Sequence, residues 1–470
     1  MKNKRFLKIC TIFLSLLVIV MIGWSFKWIY TQFGRVNFDE VAIVINSGFG
    51  GTDKTLFWSF FRKVILRSLF YAGLGTLVCH YFKYSRKSIW IVFVSYTFFL
   101  ATQFAIRNVQ YGSFFSFSQS NFYETEYVDP TIAKIEWGKK RNVLFIALES
   151  IEKAYSDKKI MGKVLIPNIT EMEKKNKSFE NYNSVSGFSH TIAAITGFTT
   201  GLPMFYTSYK NIDKMMGAYG IGKILTQNGY QTWSIFPASG KFSRKENFMQ
   251  RMGFEHIIDG EKIYSELKNP PEQRPFNGVD DGVLFDYSKP IISDIIKSGQ
   301  PYFIFMETIN THLNGYFTDY CRDKLGFKQE TNRDIIKCDD KIISDFVQWF
   351  RHADPSAVIV LINDHAHHSH ATTMPQLKKL ANRALSNVFI NTNIFDGADM
   401  NRPILAMDFF PTLLESAGAK IPECRLGLGT SLSKHCANVP TLREKYGDKE
   451  LIKQMEKRNK LYYQLATGRK

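Results

Sequence analysis

Metal-binding and phosphate-binding residue types follow three short apolar runs of the sequence. The runs are Asn142–Leu148 before Glu149-Ser150, Tyr302–Met306 before Thr308 to His312, and Ala357–Ile362 before Asn363-Asp364-His365. Runs of this length and composition predict buried strands, and open α/β sheets place their ligands at the carboxyl ends of strands. Because a carboxylate and an imidazole at one strand end can share a cation, Asp364 and His365 are candidate metal ligands.

A threonine between the first two runs is the candidate nucleophile. The segment from Gly187 to Gly197 carries Gly and Ser before a run of small helix-forming residues, which predicts a loop that delivers Thr191 to a helix N-terminus. Free backbone amides at such a terminus favour an anion such as phosphate. A threonine hydroxyl attacks phosphorus only when a base or a metal lowers its pKa. The alternative is that His190 and Thr191 only cap the helix.

The chain is strongly basic, but its basic residues are dispersed. It has 470 residues and a formal net charge of +17. No nucleic-acid-binding motif accompanies the Lys and Arg residues, so the sequence indicates no nucleic-acid partner. Attraction to anionic lipid headgroups or to phosphate substrates accounts for the excess charge equally well.

The first hundred residues predict a membrane anchor. Ile9 to Trp28 is apolar, is long enough to span a bilayer core, and follows a basic N-terminus without a small-residue cleavage site. Val64 to Phe82 and Ser88 to Ile106 are two further candidate spans. With three spans and the basic N-terminus inside, the rest of the chain lies outside the cytoplasmic membrane. The basic residues Arg62, Lys63 and Arg67, at the supposed outer end of the second span, fit that orientation poorly.

Cysteine placement agrees with an exported domain. Cys10 and Cys79 fall inside candidate spans, where they act as small apolar residues. The remaining four form two local pairs, Cys321 with Cys338 and Cys424 with Cys436. No thiolate zinc-ligand spacing occurs, so we predict two disulfides instead.

Beyond residue 140 the sequence alternates strand and helix patterns. This alternation predicts a mostly parallel central sheet flanked by helices on both faces. We expect Val283 to Lys297 to be helical but kinked or interrupted by Pro290. The predicted organisation is a membrane anchor at 1–106, a connector near the membrane surface at 107–140, an extracytoplasmic domain at 141–440, and a charged, solvated C-terminal helix at 441–470.

Several of these segments together resemble a known family. The sequences NVLFIALES, TIAAITGFTTGLP, Asn-Thr-His, Asn-Asp-His and MDFFPTLL, which begin at residues 142, 191, 310, 363 and 407, occur in the order seen in the sulfatase-like branch of the alkaline phosphatase superfamily. Over most of the chain the resemblance is strongest to phosphoglycerol transferases that modify periplasmic glucans. Lipoteichoic acid synthases are more distantly similar.

The resemblance implies a divalent cation and a set of site residues. The cation is commonly manganese, with magnesium or zinc as alternatives. The implied metal ligands are Glu149, Thr191, Asp364 and His365, with Thr191 also the nucleophile. His312 matches the family histidine that contacts the substrate phosphate or the leaving group, and Lys245 falls where relatives place a basic phosphate-binding residue.

The sequence departs from its relatives at two places. Lipoteichoic acid synthases have Phe-His-Gly where this chain has Phe236-Pro237-Ala238, so that histidine contact is missing. Thr191 does not lie in the Cys/Ser-x-Pro-x-Arg context of sulfatases that form formylglycine, which disfavours sulfate-ester hydrolysis. The further histidines His367, His368 and His370 either hold a second cation, face the acceptor or lie in an exposed polar loop.

These expectations combine into one function with open alternatives. The resemblance favours transfer of phosphoglycerol from a membrane phospholipid to a periplasmic or cell-surface glycan, through a phosphodiester on Thr191, at a bacterial inner membrane. Transfer of phosphoethanolamine to lipopolysaccharide or another glycan is the first alternative. Phosphodiester hydrolysis is the second, and an inactive binding module on the same fold is the third.

Overall fold

The structure, a computed structural model, divides into two units. It describes residues 2–33, 36–37, 39, 42, 54–81, 95–96, 98, 100, 102, 109–110, 118–210, 218–270, 278–312, 315–329, 331–367 and 374–468. The first unit contains residues 1–38, 52–111 and 369–374, and the second contains residues 39–51, 112–368 and 375–470.

The first unit is built from long apolar helices. Helix α1 spans Lys2–Phe33; a second helical stretch runs through Lys54–Phe60, a π-helical turn at Phe61–Ile65, and α2 at Leu66–Tyr81. Ile9–Thr31 and Phe57–Tyr81 are long and apolar enough to cross a membrane. They overlap the first two predicted spans, whereas most of the third, 88–106, lies outside the described residues.

A six-stranded sheet forms the centre of the second unit. Its strands are β1 (Val143–Leu148), β2 (Gln231–Ile235), β3 (His256–Ile258), β4 (Tyr302–Glu307), β5 (Val358–Asn363) and β6 (Asn387–Ile390). Their order is β6-β5-β1-β4-β2-β3. All neighbouring pairs are parallel except β6 with β5. The predicted mostly parallel sheet is confirmed.

Helices cover this sheet on both faces. The main helices are α3 (Pro167–Lys175), α4 (Thr191–Thr200), α5 (Ile221–Gln227), α6 (Lys245–Met252), α7 (Gly260–Glu266), α8 (Asp281–Lys297), α9 (Asn332–Ala353), α10 (Phe409–Ser416), α11 (Leu442–Met455) and α12 (Lys460–Thr467). Every residue of β1, β4 and β5 is buried, as expected for parallel strands packed on both sides. The continuous apolar runs of the sequence reflect this burial.

Shorter elements complete the described chain. Short helices lie at Phe122–Glu126, Lys153–Ser156, Lys158–Met161, Tyr206–Lys210, Phe242–Arg244, Tyr320–Lys324, Pro375–Lys379, Ala406–Asp408 and Lys434–Cys436. Two-residue strands pair Val36–Asn37 with Val109–Gln110, Asn181–Tyr182 with Pro403–Ile404, Glu136–Trp137 with Ala419–Lys420, and Arg425–Leu426 with Gly429–Thr430.

The structure differs from the sequence expectations at three of these elements. Pro290 does not interrupt α8, which continues through it to Lys297. The C-terminal 441–470 segment forms two helices rather than one, and their apolar faces join the main core because residues such as Leu451 and Tyr462 are buried. From residue 118 onward the predicted connector also belongs to the second unit, where Tyr123 is fully buried and donates to the carbonyl of Met455.

Both predicted disulfides are present in the second unit. Cys321 bonds Cys338, and Cys424 bonds Cys436. The first disulfide ties the Tyr320–Lys324 turn to α9, so it fixes the N-terminal part of that helix. Disulfides persist in oxidising compartments, which agrees with an exported domain.

Candidate active site

Parallel pairing brings the ends of three strands to one edge of the sheet. In register, Leu148 of β1 faces Asn363 of β5, and Ala147 of β1 faces Glu307 of β4. The residues that follow these positions therefore meet at the carboxyl edge, where open α/β sheets bind their ligands. This geometry places Glu149 between the Asp364 segment and the loop after β4.

The turn after β1 is held in a strained conformation. Ser150 has a φ of 54°, a value that residues other than glycine rarely adopt. Its N–H donates to Asp364 Oδ1 at 3.0 Å, and its hydroxyl donates to Glu149 Oε1 at 2.6 Å. The N–H of Glu149 donates to Thr308 Oγ1 at 2.9 Å. These bonds fix the direction of the Glu149 carboxylate.

Thr191 is the first residue of α4, as the sequence predicts. Its neighbour His190 is the extended N-cap residue, with φ −145° and ψ 159°. The Thr191 hydroxyl lies 3.3 Å from Glu149 Oε2 and 3.2 Å from His365 Nε2. Thr191 therefore does more than begin a helix: its side chain faces the strand-end cluster.

The cluster of Glu149, Asp364 and His365 has more hydrogen-bond acceptors than protons to share among them. His365 Nδ1 lies 3.0 Å from the carbonyl of Ala366, which can only accept, so a neutral ring carries its proton there and leaves a lone pair on Nε2. Nε2 is 3.3 Å from Asp364 Oδ2 and 3.7 Å from Glu149 Oε1. Asp364 Oδ2 is buried and, among the described residues, has no hydrogen-bond partner.

This donor set fits a divalent cation. One ligand atom each from Glu149, Asp364 and His365 lies within 4.8 Å of the others, and all three side chains are buried. Two carboxylates, one imidazole and one hydroxyl, with no thiolate, suit manganese or magnesium and also satisfy zinc.

The carboxyl groups of Glu149 and Asp364 are buried close together, which disfavours their ionised forms. Burial raises the pKa of Glu149 to about 7, and the nearby Glu307 carboxylate adds to the rise. Burial and then the charge of Glu149 raise the pKa of Asp364 to about 7. Such shifts mark acidic groups that gain most from a positive charge between them.

Two further histidines near the cluster are neutral at physiological pH. Burial, and then the neighbouring His365 ring, lower the pKa of His190 to about 3. Burial, His365 and Lys245 lower the pKa of His312 to about 3. His312 is therefore a neutral imidazole that interacts electrostatically with His365 and Lys245, and its contact with a substrate phosphate stays a prediction.

Lys245 lies near the cluster but is already paired. Its ammonium group is 2.5 Å from both carboxylate oxygens of Glu307, and it lies over the Phe236 ring at 5.1 Å from the centroid. Its charge also lowers the pKa of Glu149 slightly. A phosphate would share this lysine with Glu307, a residue that the sequence analysis did not select.

Of the three histidines that closely follow His365, the structure describes only His367. His367 is 4% exposed, so the expectation of an exposed loop is wrong for this residue. Its N–H donates to Glu152 Oε1 at 3.0 Å, and its carbonyl accepts from Arg383 at 2.9 Å. His368 and His370 lie outside the described residues.

A buried acidic pair supports the loop that carries His312, and sequence reasoning missed it. Asp281 accepts from the N–H groups of Ile309 and Asn310 at 2.8 Å, and Asp339 accepts from the Asn310 side chain at 3.3 Å. Burial and the neighbouring Asp339 carboxyl group raise the pKa of Asp281, and burial raises the pKa of Asp339 to about 7. Two carboxyl groups held together in this way do not both ionise at neutral pH.

Comparisons with known proteins agree with this fold and site. The family model described as Sulfatase matches residues 141–419. Together with the strand-end cluster on a mostly parallel sheet, this match defines an enzyme fold of the alkaline phosphatase superfamily type. The chain belongs to the sulfatase family.

One curated protein and two solved structures are similar to this chain. Phosphoglycerol transferase I of Escherichia coli O6:K15:H31 is 26% identical over 241 residues, which cover 48% of this chain but only 31% of that protein. An alkaline phosphatase superfamily protein from Vibrio parahaemolyticus superposes with a TM-score of 0.52 at 19% identity, covering 65% of this chain and 74% of its own. A lipoteichoic acid synthase from Listeria monocytogenes gives 0.51 at 14% identity, covering 67% and 81%. The two structures show the shared fold.

Proposed function

We propose that this chain is a metal-dependent phosphotransferase that moves phosphoglycerol from a membrane phospholipid to a glycan. The observation that carries the proposal is the position of the Thr191 hydroxyl, within 3.3 Å of both Glu149 and His365. The similarity to phosphoglycerol transferase I supports this choice of headgroup. The apolar helices support a donor drawn from the membrane.

In the first half-reaction Thr191 Oγ1 attacks the phosphorus of the lipid phosphodiester. A new Thr191 O–P bond forms while the bond from phosphorus to the diacylglycerol oxygen breaks. The threonine hydroxyl passes its proton to Glu149 Oε2, and the leaving oxygen takes up a proton from water as diacylglycerol departs. The neutral imidazole of His312 donates a hydrogen bond to the phosphate or to that oxygen.

The second half-reaction reverses the roles. A hydroxyl of the acceptor glycan attacks the same phosphorus and releases its proton to water, the Thr191 O–P bond breaks, and Glu149 returns the proton to the Thr191 oxygen. The N-terminus of α4 stabilises the phosphate in both halves through its backbone amides. A divalent cation held by Glu149, Thr191, Asp364 and His365 would lower the pKa of the threonine hydroxyl and offset charge on the phosphate oxygens.

The topology in this proposal places the second unit outside the cytoplasmic membrane. Disulfides Cys321–Cys338 and Cys424–Cys436 support an oxidising compartment. The helices Ile9–Thr31 and Phe57–Tyr81 anchor the chain in the bacterial inner membrane. A phospholipid donor and a glycan acceptor are both accessible there.

The test is intact-mass measurement of the purified chain after incubation with each donor and manganese. Phosphatidylglycerol should add one phosphoglycerol group to Thr191, and phosphatidylethanolamine should add nothing. Thr191→Ala should abolish the adduct. The control Thr196→Ala, on the same helix, should keep it, because that hydroxyl bonds the Ile192 carbonyl one turn back.

The remaining outcomes decide between the alternatives. An adduct from phosphatidylethanolamine would mean that this lipid is the donor and that Thr191 is still the nucleophile. Headgroup release into water without glycan labelling would indicate a hydrolase. No adduct and no release with either lipid would contradict an enzyme and favour an inactive binding module.

A further inference from the structure

The helices of the first unit pack as an antiparallel pair. Trp28 Nε1 donates to Ser59 Oγ at 3.1 Å near one end, and a Cβ at Gly75 would lie 3.1 Å from a methyl group of Leu16 nearer the other. Position 24 of α1 therefore lies beside the start of α2. This register brings basic and aromatic residues of both helices together.

Four residues at this level form a cation–aromatic cluster: Trp24, Lys27, Arg67 and Tyr71. Lys27 Nζ and Arg67 Cζ each lie 4.8 Å from the centroid of the Trp24 ring. Tyr71 stacks on Trp24 with centroids 5.9 Å apart. Because both cations contact one ring, their charges lie within about 10 Å of each other.

Neither cation has a carboxylate partner within the helix pair. The segments Lys2–Phe33 and Lys54–Tyr81 contain no Asp and no Glu. A cation–π contact stabilises a basic group by less than its placement within a membrane span destabilises it. The ring alone therefore compensates these two charges only in part, and an anion would compensate them better.

The cluster lies toward the same end of both helices. Lys27 is four residues before the end of the span Ile9–Thr31, about 6 Å along the helix axis, and Arg67 is ten residues after the start of the span Phe57–Tyr81, about 15 Å. Both side chains are long and exposed, so their charged ends can extend toward the membrane surface at that end. Lipid phosphates are the anions of the bilayer at that surface.

We propose that this cluster is a binding site for the phosphodiester headgroup of an anionic membrane phospholipid. The single negative charge of the phosphodiester lies between the two cations, and the Trp24–Tyr71 stack contacts the glycerol backbone and upper acyl chains. Basic sites between membrane helices bind lipid headgroups in this way. The proposal does not depend on transfer by Thr191, although a phospholipid donor would belong to the same chemical class.

The test is native mass spectrometry of the full chain in micelles that contain either phosphatidylglycerol or phosphatidylcholine with identical acyl chains. The wild type should retain phosphatidylglycerol at least fivefold more than phosphatidylcholine. The double variant Lys27→Gln/Arg67→Gln should lose this preference. Arg67→Lys should keep most of it, because the charge remains; this variant separates loss of binding from loss of folding.

The matched control is Arg62→Gln, which removes an exposed arginine from the same helical stretch. It should retain the lipid preference. An equal loss in this control would mean that diffuse basic charge attracts the lipid, and would overturn the proposal. A preference that survives the double variant, or is absent from the wild type, would also overturn it. Displacement of the lipid by millimolar inorganic phosphate would reassign the cluster to a soluble anion.

Thr191→Ala separates this proposal from the transfer reaction. That variant should retain phosphatidylglycerol like the wild type, because Thr191 belongs to the second unit. Lipid retention in the absence of any Thr191 adduct would leave the binding site standing while the transfer chemistry fails.

Discussion

Removing one partner of the buried Lys245–Glu307 ion pair should destabilise the fold and alter phosphate binding. Lys245→Met keeps the length of the side chain and removes its charge. Glu307→Gln keeps the shape of the carboxyl group and removes its charge. The two variants therefore test the same contact from its two sides.

The expected loss of stability is large because water cannot screen the pair. The side chains of Lys245 and Glu307 are 3% and 5% exposed, and their charged atoms are 2.5 Å apart. Breaking a buried pair by removing one partner typically costs about 3–5 kcal/mol, since the other charge stays buried and unpaired. We expect that cost for each single variant. The double variant should cost far less than the sum, because no uncompensated charge remains.

The effects on phosphate binding should have opposite signs. Glu307→Gln removes a negative charge and releases the Lys245 ammonium group, so inorganic phosphate should inhibit this variant more strongly than the wild type. Lys245→Met removes the cation and should weaken the same inhibition. A purely structural role for the pair would shift both variants in the same direction.

Chemical denaturation of the wild type, both single variants and the double variant gives the coupling free energy. Inhibition constants for inorganic phosphate give the second readout. Single variants that lose less than about 1 kcal/mol, the range of exposed ion pairs, would refute the buried-pair argument. Inhibition that weakens in Glu307→Gln would refute the assignment of Lys245 to phosphate binding.

Three further predictions address other parts of the second unit. Burial raises the pKa of Asp339 to about 7. The stability that protonated Asp339 contributes should therefore be present below about pH 4 and lost as the pH rises toward 7. Asp339→Asn mimics the protonated form, so this variant should flatten the pH dependence of the unfolding free energy over that range. Alkylation of protein taken from its own membrane should label Cys321 and Cys424 only after reduction, and labelling without reductant would contradict an exported domain. His367→Ala should retain cation binding measured by titration calorimetry while His365→Ala loses it, and the reverse order would mean that the ligands are misassigned.

The strand-end cluster could be predicted because its signals are local. Glu149 and Asp364 each follow an apolar run directly, so the parallel sheet that the pattern predicts brings them together. Thr191 follows from the start of a helix. The resemblance to sulfatase-like enzymes then connects these positions, and the 3.2–3.3 Å contacts of Thr191 agree with that prediction.

The supporting contacts could not be predicted because their partners are far apart in sequence. Glu307 ends an apolar run like any terminal polar residue, and nothing local indicates that Lys245 faces it. The same holds for Asp281 and Asp339, which meet only when α8 and α9 pack together. Which distant side chains meet depends on helix packing, which periodicity does not specify.

The C-terminal helices carry an apolar stripe that indicates burial, but the many charged residues around it hide this pattern in the sequence. The segment is rich in charged residues, which suggested a solvated helix. Leu451 and Met455 are spaced four residues apart and form an apolar stripe, and both are buried. A narrow stripe can anchor an otherwise charged helix to a core.

The central claim is that Glu149, Thr191, Asp364 and His365 form one divalent-cation site. Titration calorimetry of the chelator-treated chain with manganese tests it most directly. The wild type should bind one cation at this site, and Asp364→Asn should reduce its affinity at least tenfold, because it removes a negative charge facing a dication. Unchanged affinity in Asp364→Asn, together with full transfer activity after chelation, would contradict the site.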